Sequence, residues 1–439
     1  MTFKPLDMYH PISTESQFLL SSTDAPEKTA PSGIDPDSLK PAFPELITGQ
    51  ALVTASLKRL AAQEVFSILV LRLDPIAEEK AGTALLALAE AIDTECAAET
   101  GWWGIIDSSL FVSFFPDKND QACLETGQVL NSRLAAAMNA TVSGGIGAFP
   151  TADYSRNQIL DNAYKALDHA AFFGPGSLVL FDDVSLNISG DHLFQKGDIP
   201  GAMAEFEKAL LLAPANVNVC NSLGVCHSLL GNFDRAQEMF QRALALAPDE
   251  FMAHYNLGLV HLLTDNREVA LRNFLEAHRL GGDVYEVALQ TGRLYLEINN
   301  PTEAFSYLQK ALQLQPGALA FRLMGDYYSV LSQNEDAFNA YRQAVKLNPN
   351  DAAALSALGL LYEDKGENPE IGALFCEKSI EIAPNEGKFR HRLGKLYLKQ
   401  NRLEDALAAF QAAMERGYDS TRYIEEINNL RDVTQDQAC

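Results

Sequence analysis

Apolar positions along this chain follow two different rhythms. From Glu45 onward, the helical spacing of ELITGQALVTASLKRLAAQ gives way to the apolar run FSILVLRL, which predicts a helix and then a strand. A long helix follows from about residue 75 to residue 99, then two short strands within WWGIIDSSLFVSFF and a helix from about 119 to 138. Residues 142–181, VSGGIGAFPTADYSRNQILDNAYKALDHAAFFGPGSLVLF, read as strand, tight turn, amphipathic helix, glycine stop and strand. The order α-β-α-β-β-α-β-α-β predicts one α/β domain with helices against a mixed sheet. The glycines that open residues 142–181 are expected where a backbone must pass close to something.

Beyond about residue 185 the period lengthens. Gly190, Gly224, Gly258, Gly292, Gly325, Gly359 and Gly394 stand 34, 34, 34, 33, 34 and 35 residues apart. Twelve residues after each of the first five comes an alanine (Ala202, Ala236, Ala270, Ala304, Ala337), and seven later another (Ala209, Ala243, Ala277, Ala311, Ala344). Pro or Gly follows five residues on, at Pro214, Pro248, Gly282, Pro316 and Pro349. Small residues at these intervals let two antiparallel helices approach closely, and the final Pro or Gly stops the second helix. The sixth copy departs, with an extra residue in its turn, Gly372 at the first alanine position and Ser379 at the second; the seventh regains Ala406 and Ala413. DSTRYIEEINNLRDV then predicts a capping helix with a polar outer face. Residues 1–42, rich in Ser, Thr, Pro and Asp, show no sustained period and are expected to be a disordered tail.

The repeat resembles the tetratricopeptide repeat (TPR), and AHYNLGLVHLLTDNREVALRNFLEAHRLG is similar to its consensus along its length. Residues 43–184 resemble the GGDEF domain of diguanylate cyclases: ELITG is similar to the family's D-x-L-T-G, SGGIGAFP to its S-x-G-I-x-x-[YF]-P strand, and LDNAYKALDHAAFFG to its L-x-x-A-D-x-A-L-Y-x-A-K-x-x-G helix. Together these resemblances imply an α/β plus all-α chain: a tail over 1–42, a GGDEF-like domain with a mixed sheet over 43–184, a TPR solenoid of about seven repeats over 185–418, and a capping helix and tail over 419–439. They also imply that the opening glycines are inherited from a fold that holds a nucleotide nearby.

The family's chemistry does not carry over. Joining two GTP molecules needs carboxylates to hold a divalent metal against the triphosphate. On the resemblance, the first metal aspartate falls on Arg72, two residues before Asp74, and the signature falls on Asp107 to Phe111, DSSLF, with Ser109 and Leu110 at its acidic pair. The phosphate-binding Lys and Arg fall on Ala171 and Pro175, and the product-inhibition pair falls on AETG at 98–101. The reading is a chain that is not an enzyme and takes no cofactor or metal: a bacterial signalling or scaffold protein that binds protein partners through its TPR groove, with a catalytically dead second interaction module. A sensor that binds GTP or cyclic di-GMP without turnover is the alternative, and an active cyclase with displaced ligands the third reading.

Charge sharpens the partner question. A net charge of −24 disfavours a broad hold on nucleic acid or anionic lipid. No run of 18 apolar residues and no secretory leader are present, so a cytoplasmic location is expected. Six scattered cysteines lack metal-ligand spacing and are expected to be buried thiols. His227, His254, His261 and His278 fall at differing helical phases that do not suggest a metal site. In the TPR family the groove-facing positions of each first helix lie six and three before the glycine and one, four and five after it. In repeat six these are Ala353, Ser356, Leu360, Glu363 and Asp364; in repeat seven they are Lys388, His391, Lys395, Leu398 and Lys399. With Arg293, Arg322, Asn187, Asn221 and Tyr255 upstream, the basic stripe of repeat seven is the candidate site for an acidic segment or carboxylate terminus of a protein partner. The carboxylate clamp of chaperone-binding relatives is not matched, because its positions in the first repeat hold Asn187 and Asp191.

Overall fold

The computed structural model describes residues 36–107, 110–281, 283–364 and 369–438. Most of the expected N-terminal tail, with Ser109 of the signature position, lies outside the described residues, as do the side chains of Asp107, Glu363 and Asp364. The chain divides into two compact units, one ending at Pro248 and one beginning at Asp249.

The first unit opens with α1 (Gly49–Leu60), β1 (Phe66–Leu73), α2 (Glu78–Ala98), β2 (Trp102–Asp107), β3 (Leu110–Pro116), α3 (Asp120–Met138), β4 (Val142–Phe149), α4 (Ile159–Ala170) and β5 (Leu178–Leu180). The sheet order is β2-β3-β1-β4-β5; β1 runs antiparallel to β3 and β4, and β5 runs parallel to β4. Alternate residues of β1 serve two cores, which explains its unbroken apolar run. Leu69, Leu71 and Leu73 pack with Leu88 and Ile92 of α2 and Leu130 of α3, whereas Ile68 and Val70 pack with Leu52 of α1 and Ala163 of α4. The expected element order is the observed one, but α1 starts later than its helical spacing suggests. Ile47 and Thr48 instead run beside β2, where Thr48 bridges Ile105 and Gly104 leaves room for the Ile47 carbonyl.

The glycines of SGGIG have a different explanation from the expected one. A Cβ on Gly145 would overlap the backbone of Ala163 and Leu167, and one on Gly147 would overlap the Ile159 carbonyl. What passes close to β4 is helix α4, so the glycines serve helix-on-sheet packing.

Four helices complete the unit: α5 (Asp183–Gln195), α6 (Ile199–Leu212), α7 (Val217–Leu229) and α8 (Phe233–Leu246). They form two antiparallel pairs around Phe206, Ala202, Ala209 and Leu223. Helix α5 follows the sheet almost without a linker: Asp182 caps it by accepting from the Ser185 amide at 2.8 Å. Lys165 of α4 bonds Glu205 of α6 at 2.8 Å and Asp161 at 2.9 Å. Burial opposes the charge of Lys165, but these two partners outweigh it and hold its pKa above the ordinary lysine value.

The second unit contains α9 (Phe251–Leu263), α10 (Arg267–Gly281), α11 (Tyr285–Glu297), α12 (Pro301–Leu314), α13 (Ala318–Val330), α14 (Asn334–Leu347), α15 (Ala352–Asp364), α16 (Pro369–Ile382), α17 (Gly387–Lys399), α18 (Leu403–Met414) and α19 (Thr421–Ala438). In both units every repeat glycine except that of repeat six makes room for a large side chain sixteen residues on. A Cβ would lie 2.5 Å from the Phe240 ring at Gly224, 2.7 Å from Phe274 at Gly258 and 2.6 Å from Tyr341 at Gly325. Repeat six solves the same contact differently. Gly359 faces Gly372, where a Cβ would lie 2.6 Å from the Gly372 carbonyl, and Cys376 stands in place of the ring. Cys96, Cys123, Cys220, Cys226 and Cys376 are buried thiols. Burial pushes Cys96, Cys123, Cys226 and Cys376 up to about 12, which makes them poor nucleophiles.

Candidate functional site

The candidate groove residues do not form one uniform surface. In the first unit, Asn187 and Asn221 are buried, and the Asn187 amide donates to Asp191 at 3.3 Å. In the second unit, Tyr255 is buried with its ring 5.8 Å from Phe274. Arg293 lies 2.9 Å from Glu297, one turn along α11, and Arg267 approaches the same carboxylate at 3.5 Å. These positions contribute to packing or to ion pairs before any partner arrives.

His391 is enclosed as well. Its Nδ1 lies 2.8 Å from Ser420 Oγ, and its ring sits 4.8 Å from Tyr418, 5.0 Å from Tyr423 and 5.3 Å from Phe410. Burial, then Lys395 and Arg392, hold its pKa below the ordinary histidine value, with Asp419 opposing. The sequence places His391 on the basic face, but the capping segment takes one side of the ring, a tertiary contact that periodicity in a single helix cannot reveal.

The remaining cations concentrate on α17. Between 387 and 402 the chain carries Lys388, Arg390, Arg392, Lys395, Lys399 and Arg402 and no acid. Arg390 is used structurally, donating to the Pro384 carbonyl at 2.5 Å. Arg392 escaped the position-by-position reading, although its spacing of four from Lys388 puts the two on one face. It points back toward repeat six, where its guanidinium reaches the Ala353 carbonyl at 3.5 Å. Arg322 of α13 lies 3.1 Å from Asp351 and 3.8 Å from Asp326. Asp326 in turn accepts from the Tyr341 hydroxyl at 2.7 Å, which fixes it. Lys388 keeps contact with solvent, yet desolvation by the surrounding helices, then Arg392, set its pKa below the ordinary lysine value; Arg322 adds to this, while Asp326 and Glu386 pull the other way.

A second candidate region is the sheet domain. Asp74, two residues beyond Arg72, is buried and accepts from Thr141 Oγ1 at 2.7 Å, Ser143 Oγ at 2.5 Å and the Gly176 amide at 2.6 Å. Arg72 pairs in register with Leu110 and Ser143 and joins His192 and Lys196 around Asp168, whose pKa burial raises while these three neighbours oppose the shift. The two tryptophans are half-buried, and their indole N–H groups are used internally, Trp102 toward Ser56 at 2.8 Å and Trp103 toward Asp93 at 2.9 Å. Among the described residues no group of three or more His, Cys, Asp or Glu side chains could hold a metal ion, and no helix is long and apolar enough to cross a membrane.

Comparison with known proteins bears on the helical part. Models of the tetratricopeptide repeat match residues 193–257, 285–317 and 375–408, and a TPR repeat model matches residues 325–366. Protein O-mannosyl-transferase TMTC1 of Homo sapiens is 28% identical over 117 residues, covering 26% of this chain and 13% of that protein. Protein STIP1 homolog of Dictyostelium discoideum is 28% identical over 127 residues, covering 27% of this chain and 22% of that protein. A solved tetratricopeptide repeat protein from Parabacteroides merdae aligns with a TM-score of 0.43 and 19% identity over 56% of this chain and 98% of its own. The chain thus spans less than a quarter of the length of these two curated relatives. It carries a tetratricopeptide repeat array, a class of helical repeat that supports protein–protein interaction.

Proposed function

We propose that this chain is a non-catalytic scaffold or signalling protein that holds a protein partner against the first helices of its repeats. The domain limits that go with this reading are 43–184 for the sheet domain, 185–418 for the repeats and 419–439 for the cap and tail. The observation that carries it is α17: a helix with five cations and no acid, in a chain of −24, presenting Lys388 and Arg392 toward a neighbouring repeat. A partner segment bearing negative charge is the complement. The repeats bury their small and aromatic positions in their own cores, which leaves first-helix polar positions as the readable surface.

The sheet domain is, on this reading, a degenerate GGDEF-like module and a second protein contact. Its element order and mixed sheet support the resemblance. The residues do not fit a divalent metal: Arg72 puts a cation at the expected ligand position, and the Asp74 carboxylate is committed to Thr141, Ser143 and Gly176. A metal-dependent phosphoryl transfer without its carboxylates lacks its main electrostatic stabilisation.

Two experiments test these halves. The full chain incubated with GTP and magnesium or manganese is expected to make no cyclic di-GMP; product formation overturns the dead-domain reading. Calorimetric titration with GTP and cyclic di-GMP separates scaffold from sensor, since micromolar binding of either would favour the sensor. For the groove, the triple variant Lys388→Glu, Lys395→Glu and Lys399→Glu on α17 is expected to weaken capture of the native partner. Unchanged capture with an intact fold would move the partner site elsewhere.

A further inference from the structure

We propose that the open edge of β2 takes an extended segment of a protein partner, which pairs with the main chain of Trp103 and carries a basic and an acidic residue side by side. This rests on the reading of the sheet domain as a second protein contact, and gives that contact a place and a chemistry.

Strand β2 ends the sheet and pairs with β3 on one side only. On its other side Thr48 bridges Ile105, and the Ile47 carbonyl is turned against Gly104. Upstream of that bridge the covering chain leaves the strand. Residues 42–46 bond within their own turn, the Phe43 amide to the Leu39 carbonyl at 2.9 Å and the Leu46 amide to the Phe43 carbonyl at 3.1 Å. Pro44 has no N–H to give to a strand. Between this turn and β2 lies a cleft of about 530 Å³, walled by α1 on one face of the sheet and by α2 on the other, with Gly101, Trp102 and Trp103 at its base. The Gly101 amide already donates to the Cys96 carbonyl at 2.8 Å. Main-chain groups alternate in direction along a strand, so Trp103, two residues from the bridged Ile105, presents its N–H and C=O to the cleft. Such an edge is a template for an added strand.

Charge selects the segment. Successive side chains of an added strand point to opposite faces of the sheet. On the α1 face the Arg59 guanidinium lies over the Trp102 ring at 4.9 Å, and on the α2 face Asp93 accepts from the Trp103 indole N–H at 2.9 Å. Arg59 is exposed and makes no ion pair among the described residues, and the second Asp93 oxygen has no partner there either. Glu45 of the turn is the other charged residue lining the cleft. The helices carry the same bias: α1 has Lys58 and Arg59 and no acid, whereas α2 beyond Lys80 has Glu90, Asp93 and Glu95 and no base, with Glu95 paired to Arg133. A residue opposite Trp103 therefore meets Asp93, and its neighbour meets Arg59. The complement is a basic residue beside an acidic one, and a segment of one sign would face a like charge on one wall.

The test uses the full chain and acetylated, amidated octapeptides of alternating Thr and Val with a central Lys-Glu, Glu-Lys or Gln-Gln pair. Both tryptophans of the chain line the cleft, so their emission reads binding. The better of the two charged peptides is expected to bind about fivefold more tightly than Gln-Gln, the scale of two partly exposed charge contacts. Arg59→Gln with Asp93→Asn, which keeps an oxygen for the Trp103 indole, should erase that preference without weakening the Gln-Gln peptide. Methylating the backbone nitrogens of the central pair should abolish binding, and the bound parent peptide should slow amide exchange within residues 101–104. These two readouts report main-chain pairing, which a purely electrostatic contact would not move. A preference that survives the double variant, a methylated peptide that binds as well as its parent, unchanged exchange, or no emission change with any peptide overturns the edge site. Self-association of the chain that protects the same amides overturns it too, by assigning the edge to a second copy. Cross-linking of the captured native partner separates this failure from that of the broader reading. Cross-links confined to residues 43–184 away from the cleft leave the sheet domain as a protein contact without this edge, and their absence from 43–184 removes both.

Discussion

The sheet domain and the repeats each rest on glycines, and the two use them against different neighbours. In β4, Gly145 and Gly147 face the backbone of α4 itself, so the atoms a Cβ would strike are carbonyls and amides of a helix. In most repeats the glycine faces the end of a side chain, such as Phe240, Phe274 or Tyr341. A side chain can shift by a fraction of an ångström within its rotamer well, whereas a helix backbone moves only with everything packed on it. Close approach in the sheet domain is therefore fixed by main chain, and in the repeats by side chains that can adjust.

The largest expected effect tests the first half of that contrast. Gly145→Ala should destabilise the sheet domain by about 3 kcal/mol, the upper end for overpacking, because α4 must lift from β4. Both tryptophans of the chain, Trp102 and Trp103, belong to this domain, so tryptophan fluorescence during urea unfolding reports it selectively. An unchanged fluorescence midpoint would show that α4 adjusts freely and would remove the contrast.

Repeat six sharpens it, because there a repeat behaves like the sheet. Gly359 meets the carbonyl of Gly372, and Cys376 fills the place that a ring takes elsewhere. Cys376→Phe, which restores the pattern of the other repeats in sequence, should cost about 2 kcal/mol, since two glycine backbones already occupy the space. The check is hydrogen exchange in α15 and α16, which should quicken more than in α9 and α10. A stabilising Cys376→Phe would mean that the helices of repeat six can separate to the ordinary spacing. The third effect is smaller: Gly258→Ala should cost about 1 kcal/mol, because displacement of the Phe274 ring is partly offset by the better helix propensity of alanine, worth up to about 1 kcal/mol. Its signature is a modest loss of protection in α9 and α10.

How much of this was legible from sequence follows the same divide. The repeat is written seven times, so Gly258 and Ala270 announce a helix-helix contact by recurrence alone, and the elements of the second unit follow. The run FSILVLRL is likewise local, and β1 occupies those residues. The glycines of SGGIG occur once, and sequence could say only that something lies close. That it is α4 rather than a ligand depends on how the helix returns across the sheet. The late start of α1 has a similar origin, since ELITG carries helical spacing but Ile47 and Thr48 run along β2 instead. At the candidate site, Lys388 was found because it sits at a repeat position, and Arg392 was missed because it does not. The commitment of Arg322 to Asp351, from the next repeat, is a long-range pairing with no trace in local pattern.

The smallest predicted effect concerns the one candidate residue that the capping segment encloses. The His391 ring is packed among Tyr418, Tyr423 and Phe410 and meets Ser420 through Nδ1. Burial first, then Lys395 and Arg392, depress its folded pKa, and Asp419 only partly opposes them. The unfolded chain takes up this proton near pH 6.5, its ordinary value, whereas the folded chain does so only at lower pH. Between those two values the unfolded state binds more protons, so the contribution of neutral His391 is complete above about pH 6.5 and is lost as the pH falls through that window. Protonation would place a cation against Lys395 and Arg392, and the contact most exposed to that cost is the one between α17 and the capping segment. Hydrogen exchange of α19, corrected for its intrinsic pH dependence, should therefore be faster at pH 5.5 than at pH 7.5. In His391→Phe, which retains the aromatic packing without a titrating nitrogen, the two values should coincide. A pH dependence that persists in His391→Phe would assign the loosening to another group and leave the capping contact as plain aromatic packing.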